Sequence, residues 1–356
     1  MIILSKSQQL QLLENARAIA SPSLLVIEEL VDQNLQTMLA MVDGNASRLR
    51  PHLKTTKSSE VVQKMLANGI QQFKCATLAE LQMALSAGAT DVLLAYQPVG
   101  PNIRKLVEIA EEHPSAVIAC VIDDETIAQQ LSQCTQQQGV NLQVWLDIDC
   151  GMHRTGIAPD GKAIELHQLI DQLPGLQFGG LHVYDGHIRD TDLDIRRAAC
   201  DEAFSAVWTL GESLNQPTLQ VIAGGTPTFP VHASDPRVIC SPGTSLYWDV
   251  GYSTITPDLK FACAAYLLTR VISKPGSGQL CLDLGHKAVA AEGPLETRAH
   301  FPALPDARIV GQSEEHLVIA TPDAEQWPIG TAFLAIPWHV CPSVALFDEA
   351  IVIKDQ

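Results

Sequence analysis

Arg50-Pro51-His52-Leu53-Lys54-Thr55-Thr56-Lys57 is a basic, histidine-containing stretch that follows an apolar run and precedes an amphipathic one. The pattern predicts a strand that ends at Lys54 and leads into a helix. A lysine at a strand end is a candidate for imine chemistry. Its ammonium must lose a proton to become a nucleophile, and burial beside other cations favours that loss. An isolated Arg-x-x-x-Lys reads more simply as a solvated basic turn. What surrounds the stretch decides between the two.

Outward from it, short apolar runs alternate with helical patterns. The runs lie at 24–28, 49–54, 72–76, 91–95, 116–122, 142–148, 176–182 and 219–223. Between them, 77–87 reads as a helix with Thr77 as N-cap, Glu80 at the capping-box position and Gly88 as the stop. Ile103, Leu106, Ile109 and Ala110 give 101–112 an apolar face. Eight strands separated by helices predict a (β/α)8 TIM barrel over residues 22–252. An open doubly wound sheet is the competing reading, because periodicity cannot show closure. After Tyr252 the helical period fades. Strand-like runs at 264–272, 278–284, 307–311, 316–321, 331–337 and 350–354 are punctuated by Pro and Gly, predicting a β-rich C-terminal domain over 253–356. Residues 1–21 are a candidate part of that domain.

The chain has 356 residues, a net charge of -17 and 46% hydrophobic residues. With no basic block, a nucleic-acid partner is not expected. Nine scattered cysteines without a CxxC pair predict reduced thiols and a cytoplasmic setting. No leader and no membrane-spanning run is apparent.

In a closed barrel, reactive groups sit at the C-terminal ends of strands. Four distinctive groups fall there. Lys54 ends the second run. Asp147-Ile148-Asp149-Cys150-Gly151-Met152-His153-Arg154-Thr155-Gly156 follows the sixth, His182-Val183-Tyr184-Asp185-Gly186-His187 the seventh, and Gly224-Gly225-Thr226-Pro227-Thr228 the eighth. Glycines after a last barrel strand often hold a phosphate on backbone N–H groups, although a tight turn is the plainer reading. Arg154, between two glycines, suits a phenolate or carboxylate, or else is a surface residue. His182 and Tyr184 alternate, so they share a side if the strand continues. His339 and Cys341 would do the same on a strand, and imidazole with thiolate suits zinc better than magnesium. Each feature alone is weak.

In order, Arg-Pro-His-x-Lys-Thr, Gly-x-x-Arg-x-Gly, Gly-Gly-Thr-Pro-Thr and Pro-x-His-x-Cys-Pro resemble the family of D-threonine aldolases and D-serine dehydratases. These are pyridoxal-phosphate enzymes whose fold is similar to alanine racemase. The resemblance spans nearly the whole chain and implies residue roles. Lys54 would attach the coenzyme, with Lys57 as rival and His52 beside it. Arg154 would lie by the coenzyme's phenolic oxygen. Gly224, Gly225 and Thr226 would bind its phosphate, completed by Gly243 and Thr244. Tyr184 would be an active-site aromatic, and His187 a further catalytic residue. His339 and Cys341 would bind a divalent metal, zinc or manganese, with magnesium admitted.

The implied substrate is a small D-β-hydroxy-α-amino acid, and the implied assembly a homodimer. Tyr184–His187 looks like the aldolase branch. His-x-Cys looks like the dehydratase branch, since Asp takes the second position in some aldolases. The resemblance therefore implies a D-threonine aldolase-like lyase, with a D-serine or D-threo-3-hydroxyaspartate dehydratase as alternative. A racemase would not need the metal pair, and a non-catalytic pyridoxal-phosphate carrier would lack the second domain.

Overall fold

The computed structural model describes residues 1–354. Two units emerge: residues 39–243, and residues 1–38 together with those from 244 onward.

The 39–243 unit is built on a seven-stranded parallel sheet. Its strands, in sheet order and chain order alike, are Gln72–Cys75, Asp91–Leu94, Val117–Ile122, Leu142–Ile148, Leu176–Val183, Val221–Ala223 and Val238–Cys240. Most are apolar runs buried on both faces, as a sheet wrapped in helices requires. The helices carry their own start and stop signals. Thr77 accepts the Glu80 N–H at 3.0 Å to open Leu78–Ser86. The capping box is only half made there, because the Glu80 carboxylate turns instead to the Ala76 N–H at 2.6 Å. Asp124 opens Glu125–Gln138, and Gly139 closes it in the left-handed region.

The Arg50–Lys54 stretch joins the two edges of this sheet. Arg50 N–H donates to Cys240 O at 2.9 Å and His52 N–H to Pro242 O at 2.9 Å, on one edge. Leu53 N–H donates to Lys74 O at 2.7 Å and Lys74 N–H to Pro51 O at 2.9 Å, on the other. The ring therefore closes with eight members, as expected of a barrel. The eighth member makes only isolated bridges, Leu49 to Cys240 and His52 to Lys74, and Pro51 has no N–H to extend a ladder. Inside, Arg50 is buried against both oxygens of Asp91 at 2.8 and 3.0 Å. Its guanidinium lies 5.6 Å from the centre of a Trp145 ring. A Cβ on Gly179 or Gly180 would come within 2.5 or 2.8 Å of that indole, so these two glycines make room for it.

Two strand assignments change. The run at 24–28, expected as the first barrel strand, forms Ser23–Ile27 and pairs antiparallel with Ala265–Ser273 and parallel with Ile351–Ile353. Its place in the barrel is filled by Val238–Cys240, three residues that are too short to stand out by periodicity. The second unit is otherwise antiparallel. Its sheet runs Ala299–His300, Ala332–Pro337, Ala265–Ser273, Gln279–Leu282, Leu317–Ala320, Arg308–Gln312. Lys6–Asn15 is a helix opened by a Ser5–Gln8 capping box. Among the described residues, no helix is long and apolar enough to cross a membrane.

Candidate active site

The barrel carries one group of candidate residues. Lys54 and His52 are half-buried, and the Lys54 N–H donates to His52 Nδ1 at 3.3 Å. Lys57 leaves the same turn differently. It takes a φ of 47°, is exposed, and places its ammonium on Glu80. Three residues apart, the two lysines are therefore not equivalent.

Arg154 sits in a loop shaped by its glycines. Gly156 has a φ of 102°, and a Cβ there would lie 2.7 Å from Asp149 N. Its N–H donates to Asp123 at 2.8 Å. From this loop the Arg154 guanidinium reaches to 4.6 Å from the Tyr184 ring centre, a cation–π contact. Tyr184 packs in turn on Gly225, where a Cβ would meet Tyr184 Cε2 at 3.1 Å. Gly243 N–H donates to Thr226 Oγ1 at 3.2 Å, joining the two glycine segments. A Cβ on Gly243 would stand 3.3 Å from His52 Cβ. Contacts thus run from Arg154 through Tyr184 to the glycine turn, and from that turn through Gly243 to the lysine stretch. His187 lies to one side. It is exposed, with Nε2 3.2 Å from where a Gly151 Cβ would stand.

The glycine turn is braced from below. Asp185 is buried and accepts from Thr228 Oγ1 at 2.8 Å and from His232 Nε2 at 2.6 Å. Thr228 Oγ1 accepts the Gly225 N–H at 3.3 Å. Asp185, His232 and Cys200 are close enough to surround a metal ion. They already satisfy one another, however, with the Cys200 thiol 3.8 Å from Asp185 Oδ2. Burial pushes that thiol up.

A second network was not visible in the sequence motifs. Lys74, Asp147 and His182 are all buried. His182 Nδ1 donates to Asp147 Oδ1 at 2.7 Å, and Thr155 Oγ1 donates to Asp147 Oδ2 at 2.8 Å. Lys74 Nζ stands 3.4 Å from His182 Nε2. Burial, then the charge of Lys54, lowers the Lys74 ammonium to about 7.

The other unit holds His339 and Cys341, which are not on a strand as expected. The strand ends at Pro337, His339 caps the short helix Val340–Val344, and Cys341 lies in its first turn. The two side chains still meet. Burial disfavours a charged His339, but hydrogen bonding and charge from Cys341, then Glu292 and Asp249, raise it to about 9. Glu292 contacts His339 Nδ1, and Thr244 Oγ1 lies 3.6 Å from Cys341 Sγ. Asp249 accepts the Val340 N–H at 3.0 Å and the Tyr252 N–H at 2.7 Å, which fixes the backbone between the pair. Imidazole, thiol and carboxylate in one place are a donor set suited to zinc or a similar ion.

Residues 28–249, the barrel with its lysine, arginine and glycine turn, match the family model for the alanine racemase N-terminal domain. The chain belongs to the alanine racemase N-terminal domain family. Residues 264–353 match a serine dehydratase domain. D-threonine aldolase from Arthrobacter sp is 28% identical over 94% of this chain and 89% of its own length. D-threo-3-hydroxyaspartate dehydratase from Delftia sp. (strain HT23) is 24% identical over 92% of each. The crystal structure of D-threonine aldolase from Filomicrobium marinum superposes with a TM-score of 0.88 at 27% identity, covering 95% of this chain and 92% of that one. The expected family resemblance therefore holds across both parts of the chain.

In this alanine racemase-family barrel, Lys74 has a measurable signature. The unfolded chain holds a lysine proton up to the ordinary value near 10.5, whereas the folded state releases it near 7. Between those values the unfolded state binds more protons, so stability contributed by this group rises with pH. Below about 7 the full cost of burying the charge is present. Lys74→Met is therefore expected to stabilise the fold most at pH 6, with the advantage shrinking as pH rises from 7 to 10. Urea denaturation over that range measures it, and a pH-independent difference would contradict the burial of a titrating amine.

Proposed function

We propose that this chain is a lyase that uses pyridoxal phosphate and a divalent metal to cleave D-β-hydroxy-α-amino acids by aldol chemistry, giving glycine and an aldehyde. The observation that carries the coenzyme is the continuous run of contacts linking Lys54, His52, Gly243, Thr226, Gly225, Tyr184 and Arg154. That set fits pyridoxal phosphate: an amine for the aldehyde, a planar cation for the phenolic oxygen, and a hydroxyl-bearing glycine turn for the phosphate. The turn has no room for a Cβ at Gly224, which would lie 2.6 Å from His232 Cδ2.

When bound, pyridoxal phosphate supplies an electron sink for the electrons left on Cα, and the metal supplies a Lewis acid for the β-oxygen. The chain's own residues do the rest. Lys54 would attach the coenzyme and, once displaced, act as a base. Arg154 would hold an anionic oxygen with Tyr184 flat against it. Gly224, Gly225, Thr226, Gly243 and Thr244 would hold the phosphate. His187 would move a proton at the edge of the site. His339 and Cys341 would hold the metal, and their thiolate–imidazole character suits zinc better than magnesium or manganese. The reading carries a homodimer in the cytoplasm.

The aldol branch is supported by the full-length likeness to D-threonine aldolase. One observation favours a second reading, dehydration of D-serine or D-threo-3-hydroxyaspartate: the metal pair is His339 with a cysteine. Product analysis separates the two. With D-threonine, glycine and acetaldehyde are expected. A keto acid with ammonia, from D-threonine or D-serine, would overturn aldol cleavage in favour of dehydration.

A further inference from the structure

Residues 290–298 form a loop that no sequence motif marks, and both its ends are tied to the segment that carries His339. At one end the Ala290 N–H donates to Ser343 Oγ at 3.2 Å, and Ser343 Oγ donates in turn to His339 O at 2.9 Å. At the other end Arg298 O accepts the Trp338 N–H at 3.0 Å, one residue before His339, and Ala299 pairs with Pro337. Between these ends lies Glu292, whose carboxylate contacts His339 Nδ1. The Glu292 side chain is 56% exposed, so close packing does not fix it. The buried residue Arg298 fixes the backbone there instead. Its Nη1 donates to three successive carbonyls: Glu292 O at 2.7 Å, Gly293 O at 3.0 Å and Pro294 O at 2.8 Å. Its Nε donates to Gln312 Oε1 at 2.6 Å, on the strand Arg308–Gln312. Gly293 takes a φ of 74°, which glycine adopts without a Cβ penalty. These four acceptors are all neutral. Burying a cation among neutral groups is costly unless its hydrogen bonds are made, so the guanidinium and the turn hold each other in one arrangement.

We propose that Arg298 is a positioning residue for the metal pair: it clamps the 292–294 turn so that the Glu292 carboxylate stands on His339 and holds the imidazole in the orientation that binds the ion. The proposal rests on the reading of His339 and Cys341 as metal ligands. A carboxylate on a ligating imidazole fixes the ring's tautomer and direction, and losing such a partner costs about 10–100-fold in metal affinity. An exposed glutamate on an unheld loop would have to give up backbone and rotamer freedom each time it made that contact. The clamp removes most of that cost in advance. A guanidinium suits the task because its donors form a rigid fork, one nitrogen gathering the turn while another is anchored on Gln312. Arg298 touches neither the ion nor the substrate and acts through Glu292.

The test takes the full-length chain loaded with pyridoxal phosphate, strips its metal with a chelator and titrates zinc back against a chromophoric competitor. The readout is therefore zinc affinity, independent of turnover. Arg298→Met removes the donors and is expected to weaken zinc about tenfold, as is Glu292→Gln. Because the first acts through the second, the double variant should lie within about twofold of either single one. Arg298→Lys keeps the charge but replaces the fork with one nitrogen. It is expected to fall between wild type and Arg298→Met, and to have no effect once Glu292 is replaced by Gln, which decides the matter even where Arg298→Met does not fold. Unchanged zinc affinity in both Arg298 variants would overturn the proposal. So would losses that persist in full in the Glu292→Gln background, the result of a clamp that only supports the fold. A wild-type chain that binds no zinc, or His339→Ala that binds it as tightly as wild type, would overturn the metal reading itself and the proposal with it.

Discussion

Lys54→Ala is expected to lose turnover on D-threonine by more than about 10³-fold. A single positioned acid or base is worth roughly 10²–10⁴-fold, and this substitution removes a nucleophile and a base at once. The variant should also fail to hold pyridoxal phosphate covalently. Lys57→Ala is the control. Its ammonium is engaged by Glu80 and its side chain is exposed, so its loss should leave both turnover and attachment within a few-fold of wild type. Steady-state assays of aldehyde release on both variants decide the matter. Full activity in Lys54→Ala, or an inactive Lys57→Ala that is still folded, would show that the turn had been read from the wrong lysine.

The second large effect is at His339 and Cys341. His339→Ala and Cys341→Ala should each lower bound metal and reduce turnover by about 10²–10³-fold, the usual size when one stabiliser of a developing oxyanion is removed. The double variant should be little worse than either single one, because ligands of one ion act as a unit. A chelator should reproduce the loss while the coenzyme's colour stays. Glu292→Gln should do less, roughly tenfold or somewhat more, since a carboxylate bonded to His339 Nδ1 orients the imidazole. Metal analysis of the purified variants provides the check. Unchanged metal content in both alanine variants would remove the pair from the chemistry.

The barrel was legible because most of its strands are apolar runs between capped helices. Phe73, Val92, Ile118 and Val144 belong to such runs, and all are buried. What failed was the assignment of runs to sheets. Leu24–Ile27 looks like any buried strand, and only its pairing with Ala265–Ser273 shows which sheet it serves. Val238–Cys240 is too short to register in a period, and the lysine stretch bridges two edges without forming a ladder. The glycine turn and the Arg154 loop were readable because left-handed backbone at Gly224 and Gly156 demands glycine. The His339–Cys341 spacing was readable too, but its strand geometry was not, since the chain turns into a helix at Val340.

The buried networks were the hardest to see. Lys74 in Gln72-Phe73-Lys74-Cys75 resembles a surface lysine interrupting a strand, and its partners His182 and Asp147 come from distant strands. Asp185, Thr228 and His232 likewise become a brace only once the barrel closes. Local pattern finds residues whose neighbours are near in sequence. Charge pairs made across a sheet leave no such trace.

The most direct measurement loads the purified full-length chain with pyridoxal phosphate, reduces it with borohydride and maps the modified peptide by mass spectrometry. The account predicts a single pyridoxyl group on Lys54. A label on Lys57 or Lys74, or a chain that takes up no coenzyme at all, would contradict it.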